Sequence, residues 1–118
     1  MSEYFRDNNL LSRNIGIGCI SRKNMDIVRE ELVNSLDVEF YSKDHITTTT
    51  DGTCIRFFQL ENENVRGCRF REVYIEEGYN NMDYINTCVR PMSYNIYILN
   101  IDDVAGSIMR PRRFGGRF

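Results

Sequence analysis

The chain has 118 residues, of which 42% are hydrophobic and 27% charged, and its formal net charge is −2. These values are typical of one globular domain that is long enough to bury a core without disulfides or a structural metal. No apolar run approaches about 18 residues, so no transmembrane helix is predicted. The first ten residues contain acidic side chains and no apolar stretch, and we therefore expect a cytoplasmic location.

Cysteine and histidine usage predicts neither a metal site nor a disulfide framework. The four cysteines, Cys19, Cys54, Cys68 and Cys88, are too widely spaced to form a local ligand pair. The single histidine, His45, has no ligand partner near it in sequence. We expect reduced thiols that pack as small hydrophobic side chains.

A strand and a helix are predicted in the first third of the chain. Residues 1–13 are polar and are read as an arm or a short helix, and residues 14–21 alternate isoleucine or cysteine with small residues, as a strand does. Ser21 or Asn24 can cap the helix that follows. The helix is predicted from one apolar stripe, formed by Met25, Val28, Leu32 and Leu36.

The middle of the chain predicts strands and turns. Residues 38–42 form a short strand, and residues 45–61 form a β-hairpin around Asp51 and Gly52, because Asp-Gly supplies the positive φ angles of a tight turn. A polar loop follows, and residues 71–77 form the next strand.

The last third adds a helix and a strong strand. The helix is predicted over 81–89, since cap residues precede it and Pro91 stops it. Residues 94–101 form a strand, and residues 102–109 form a turn or a short helix.

Alternation of strands with helices predicts an α/β fold. We expect a single three-layer-like domain with a mixed, largely parallel sheet and an inserted β-hairpin, spanning 14–105 between an arm at 1–13 and a basic flexible tail at 106–118. The predicted core consists of Ile15, Ile17, Val28, Leu32, Phe57, Val73, Ile75, Ile85, Ile96, Ile98 and Leu99.

Arginine outnumbers lysine 13 to 2 and concentrates near the end of the chain. The segment "RPRRFGGRF" holds Arg110, Arg112, Arg113 and Arg117, and without these four the remaining chain has 11 basic and 17 acidic side chains. Such a segment is too polar to pack alone, so we expect disorder in the isolated protein. Three interpretations remain open: a solvated end, contact with nucleic acid, or docking on a partner protein.

A second arginine group surrounds the strand at 71–77. Arg69 and Arg71 occupy alternate positions of an extended segment and share a face, so with Arg66 they are candidates for a basic binding ridge. The alternative is that they form salt bridges with nearby acids, namely Glu61, Glu63 and Glu72.

The same strand ends in two carboxylates. Val73, Tyr74 and Ile75 are followed by Glu76 and Glu77. An apolar strand that ends in two acids is the layout with which a P-loop ATPase holds Mg²⁺ and orients the attacking water.

The surrounding sequence resembles phage terminase large subunits and related helicase-like ATPases over residues 14–101. "DGTCIRF" at 51–57 is similar to the hairpin of that family, and the segment from Arg66-Gly67 to Glu77 is similar to its acidic Walker B strand. The resemblance implies that Glu76 and Glu77 are the catalytic residues of any active site. It also favours a viral or phage-encoded protein.

The chain departs from that family in its phosphate-binding part. No G-x-x-x-x-G-K-[ST] motif occurs, and the first acid is glutamate where the family prefers aspartate. We therefore expect no cofactor and a non-enzymatic binding protein on a degenerate P-loop-ATPase-like scaffold, with a protein or nucleoprotein complex as partner, no membrane, and oligomerisation left open. The alternative is an ATPase subunit whose two carboxylates complete an Mg-ATP site with another chain.

Overall fold

The structure, a computed structural model, describes residues 14–35, 38–42, 45–48, 52–61 and 69–114. Its strands are β1 (Asn14–Cys19), β2 (Val38–Ser42), β3 (His45–Thr48), β4 (Cys54–Gln59), β5 (Phe70–Glu76) and β6 (Ser93–Leu99). Its helical segments are α1 (Arg22–Ser35), α2 (an α-helical turn Met82–Tyr84, a π-helical turn Ile85–Val89 and a 3-10 turn Arg90–Met92) and α3 (Val104–Met109). The predicted arm at 1–13 lies outside the described residues.

The strands form one sheet in the order β2-β3-β4-β1-β5-β6. The four strands β4, β1, β5 and β6 run parallel to one another. β2 and β3 extend the sheet with antiparallel pairing beyond β4. The predicted α/β fold is confirmed, whereas Asp51 of the predicted hairpin turn lies outside the described residues. Gly52 has a φ of 71°.

Buried side chains form two clusters. One combines residues of α1 and α3 with strand residues that include Ile17 and Tyr74. The other combines residues of α2 with strand residues that include Val73 and Ile75. Neighbouring residues of a strand point to opposite faces of the sheet, and those of β5 belong to different clusters. Helices therefore pack against both faces of the sheet. Every predicted core residue except Ile98 is buried.

The two glycines of β1 allow aromatic side chains to pack directly on the strand. A Cβ at Gly16 would lie 3.0 Å from the ring of Phe70, and a Cβ at Gly18 would lie 2.8 Å from Leu60. The rings of Phe58 and Phe70 stack with their centroids 6.4 Å apart. The absence of a side chain at these two positions therefore makes room for a layer of buried apolar groups.

Helix α1 follows its predicted stripe. Met25, Val28 and Leu32 are buried, and Leu36 lies outside the described residues. Ser21 caps the helix, because its Oγ accepts the backbone N–H of Asn24 at 3.1 Å.

Segment α2 is less regular than the predicted helix over 81–89. Asn81 caps it by accepting the backbone N–H of Tyr84 at 3.2 Å. The π-helical turn is closed by the N–H of Arg90, which donates to the carbonyl of Ile85. Pro91 has no N–H and cannot continue an α-helical ladder, so the segment ends as a 3-10 turn.

Helix α3 spans residue 105, where the sequence predicted the domain to end. Asp103 caps α3, since its Oδ1 accepts the N–H of Gly106 at 3.0 Å. Residues 106–109, assigned above to the flexible tail, therefore belong to an element that packs on the domain. Val104 anchors the helix in the first buried cluster.

Residues 112–114 run along the outer edge of β6. The N–H of Ile98 donates to the carbonyl of Arg112 at 2.8 Å, and the N–H of Phe114 donates to the carbonyl of Ile96 at 3.0 Å. Backbone groups rather than side chains make this pairing, and residues 115–118 of the predicted tail lie outside the described residues. Among the residues that the structure describes, no helix is long and apolar enough to span a membrane.

Candidate functional site

The carboxylate of Glu76 lies where three elements meet. Glu76 is the last residue of β5, and it is 7% exposed. β5 pairs in parallel with β1, with Ile75 opposite Gly18, so the end of β5 lies beside the turn that leads from β1 into α1. The carboxyl ends of parallel strands are where open α/β sheets bind ligands, which makes this position the first candidate for a functional site.

Both oxygens of Glu76 accept hydrogen bonds from the β1–α1 connection. Oε1 accepts the backbone N–H of Ile20 at 2.8 Å, and Oε2 accepts the side-chain amide of Asn24 at 2.8 Å. The carboxylate therefore ties the end of β5 to the first turn of α1. A negative charge beside the N-terminus of a helix is also favoured by the helix dipole.

The local sequence explains why these donors point at Glu76. β1 ends at Cys19, and the N–H of Met25 donates to the carbonyl of Ser21 at 3.1 Å to close the first turn of α1. That turn directs the side chain of Asn24 towards the sheet, while the N–H of Ile20 precedes the helical ladder and needs an acceptor elsewhere.

The thiol of Cys19 lies at the same junction. Cys19 is fully buried, and burial together with the nearby charge of Glu76 raises the pKa of its thiol from 9.0 to about 12. The thiol is thus kept protonated at neutral pH, and a protonated buried thiol is a poor nucleophile and a poor metal ligand.

The surroundings of Glu76 favour a structural role over the implied magnesium role. A carboxylate that holds a hydrated metal needs an oxygen directed at solvent or at the ion. Here the side chain is buried and each oxygen already accepts a short hydrogen bond from the protein. We interpret Glu76 as a structural carboxylate that fixes the β1–α1 turn.

Glu77 is placed differently. It follows β5, its N–H donates to the carbonyl of Leu99 at 2.7 Å, and its side chain is 56% exposed. The guanidinium of Arg112 lies 4.0 Å from the carboxylate. The two adjacent acids of the motif thus have different surroundings, one buried and bonded, the other solvated.

The predicted binding arginines fall into two places. Arg69 and Arg71 are exposed at the amino end of β5. Arg110, Arg112 and Arg113 are exposed beside the carboxyl half of β6, where Arg113 pairs with Tyr97. The two groups of predicted binding arginines therefore lie at different places on the sheet. Arg66 and Arg117 lie outside the described residues.

A cavity of about 350 Å³ opens beside that second arginine group. It lies between the end of β6, helix α3 and residues 110–112. Its lining consists of Ile98, Asn100, Asp103, Gly106, Ser107, Arg110 and Arg112. Ile98 is only partly buried, contrary to prediction, because it faces this cavity.

A further polar contact, between Glu61 and Tyr79, was not predicted from the sequence. The hydroxyl of Tyr79 donates to Glu61 at 2.5 Å, and the ring of Tyr79 meets Tyr84 edge-on with centroids 6.1 Å apart. Burial raises the pKa of Tyr79, and the hydrogen bond to Glu61 raises it further. The contact fixes the turn after β5 and does not assemble a catalytic group.

Sequence reasoning identified Glu76 but missed its partners, Ile20 and Asn24. These two partners follow from the parallel pairing of β1 with β5, and the sequence does not specify that pairing directly. Among the described residues, no group of three or more histidine, cysteine or acidic side chains could hold a metal ion. No protein-family model, curated protein or solved structure matches this chain.

Proposed function

We propose that this chain is a non-enzymatic binding protein on a degenerate P-loop-ATPase-like scaffold, and that it acts on a protein or nucleoprotein partner. The observation that carries the proposal is the state of the Glu76 carboxylate, whose two oxygens bind Ile20 and Asn24. An acid used in this way stabilises the fold, and this role supports a binding protein over an ATPase. The resemblance to phage terminases adds a viral or phage origin to the proposal.

The exposed arginines support a macromolecular partner. Arg69 and Arg71 are exposed on the amino end of β5, and a guanidinium grips carboxylate or phosphate with paired hydrogen bonds. The net charge of −2 for the chain as a whole gives no general attraction to nucleic acid. A protein surface with acidic groups therefore fits this end of β5 better than a nucleic acid does.

The test is recovery of the partner from the cells in which the protein is normally made, followed by mass spectrometry. We expect a stoichiometric protein partner whose recovery falls strongly with Arg69→Glu, because the reversed charge repels the acidic groups that Arg69 contacts. Lys23→Glu is the matched control, since Lys23 is exposed on α1 and carries the same charge. Absence of any stoichiometric partner would count against the proposal, as would equal losses with both variants.

A further inference from the structure

The outer edge of β6 is closed in the free chain by a short stretch of its own backbone. We call residues 110–114 the edge segment. It contacts β6 through the carbonyl of Arg112 and the N–H of Phe114, which bond to Ile98 and Ile96, while Arg113 lies opposite Tyr97. This is the antiparallel pattern of an added strand.

The edge segment is held mainly by hydrogen bonds of its backbone. Its residues 110–113 are exposed, and Arg110 and Arg112 line the cavity of about 350 Å³, while the N–H of Arg110 donates to the carbonyl of Gly106 in α3 at 2.9 Å. The ion pair between Arg112 and Glu77 is 4.0 Å long and solvent-exposed on both sides, so it contributes little. Phe114 is the one side chain of the segment that packs on a buried cluster.

The described residues 112–114 pair with only a part of the outer edge of β6. These bonds use Ile96 and Ile98, whereas β6 begins at Ser93. Tyr94, near that end, is 85% exposed. A large, exposed aromatic side chain on an edge strand is a suitable contact for an incoming segment, since tyrosine is enriched at binding hot spots.

We propose that the outer edge of β6 is a strand-addition site, and that a partner protein inserts an extended segment there antiparallel to β6, in place of the edge segment. This rests on the proposed function and assigns its partner a docking surface. Strand addition to a sheet edge obtains affinity from main-chain hydrogen bonds and specificity from alternate side chains.

The contacts that the edge segment makes define the residue types that a partner segment needs. It needs an N–H where Phe114 has one, and an apolar or aromatic side chain that replaces Phe114 on the buried cluster. Two positions earlier a basic residue is compatible with Glu77, which lies there beside Arg112. A β-branched residue after the aromatic position would continue the pairing towards Tyr94.

The probe is a synthetic peptide with the sequence of residues 110–118, in which Thr and Val replace the two glycines. It is titrated into the isotope-labelled 118-residue chain, and amide exchange is followed by NMR. We expect the amide of Phe114 in the chain to lose protection, while the amide of Ile98 stays protected because the peptide now accepts its hydrogen bond. A control peptide has proline in place of the phenylalanine that corresponds to Phe114. It lacks the required N–H and should not bind.

Two variants of the chain sharpen the test. Phe114→Pro removes both the donor to Ile96 and the aromatic side chain, and should raise the peptide affinity at least about tenfold, a factor that the lost hydrogen bond alone would supply. Arg113→Pro is the control, since the N–H at that position of the pairing points away from β6 and the affinity should not change. If Phe114→Pro does not fold, the test is the loss of protection at the Phe114 amide of the unaltered chain.

Peptide binding that leaves the Phe114 amide protected would overturn the proposal, and so would failure to bind both the unaltered chain and Phe114→Pro. Dimerisation of Phe114→Pro without uptake of peptide would also overturn it, because the edge would then select a second copy. A partner recovered from cells and lost with Arg69→Glu would keep the proposed function standing in each of these cases.

Discussion

Replacing Glu76 with alanine should lower the free energy of unfolding by about 3 kcal/mol. The change leaves two part-buried donors, the N–H of Ile20 and the amide of Asn24, without their acceptor, and a donor without a partner costs roughly 1 to 3 kcal/mol when buried. The measurement is urea-induced unfolding followed by circular dichroism, with the slope of the transition checked for constancy.

Two further variants separate the structural role of Glu76 from a simple charge effect. Glu76→Gln keeps one acceptor oxygen for Ile20, and its amide can donate to Asn24 after the Asn24 amide rotates, so a smaller loss of about 1 kcal/mol is expected. Glu77→Gln removes the same charge one residue later, at an exposed position, and should change stability by less than about 0.5 kcal/mol. Equal stabilities of Glu76→Ala and Glu77→Gln would refute the structural role of Glu76.

Stability should fall steeply with rising pH above pH 9 because of Cys19. The folded chain keeps the thiol proton up to about pH 12, whereas the unfolded chain releases it near the ordinary value of 9.0. The unfolded state then binds fewer protons, so the free energy of unfolding decreases by about 1.4 kcal/mol for each pH unit between these values. Below pH 9 both states hold the proton and Cys19 contributes no slope.

The control for this prediction is Cys19→Ala, measured by the same unfolding experiment across the alkaline range. The variant is expected to be less stable at neutral pH, because it leaves a small cavity, and to lose less stability between pH 9 and pH 10. The difference between the two slopes removes the contributions of Tyr79 and Tyr84, whose pKa values burial also raises. Parallel slopes for the two proteins would contradict the assigned burial of the Cys19 thiol.

Local patterns predicted most of the regular elements. The stripe of Met25, Val28 and Leu32 identified α1, because residues three and four apart share a helix face. The alternation in 94–101 identified β6 to within two residues at either end. Both signals depend only on residues near one another in sequence.

Non-local pairing limited what could be predicted of the site. The contact between Asn24 and Glu76 joins residues 52 positions apart, and it exists only because β1 and β5 are neighbours in the sheet. The glycines of β1 indicated close packing, but not that the side chains of Phe58, Leu60 and Phe70 fill that space. The edge segment has no strand pattern, since its pairing with β6 uses backbone groups that every residue except proline offers.

Calorimetric titration of the 118-residue chain with Mg-ATP tests most directly whether the acidic strand end has lost its nucleotide chemistry. Because the oxygens of Glu76 are bonded to Ile20 and Asn24 and the sequence holds no phosphate-binding loop, we predict no saturable heat at any nucleotide concentration up to the millimolar range. Saturable binding of Mg-ATP that disappears in Glu76→Gln, or nucleotide turnover that disappears in Glu77→Gln, would contradict the prediction.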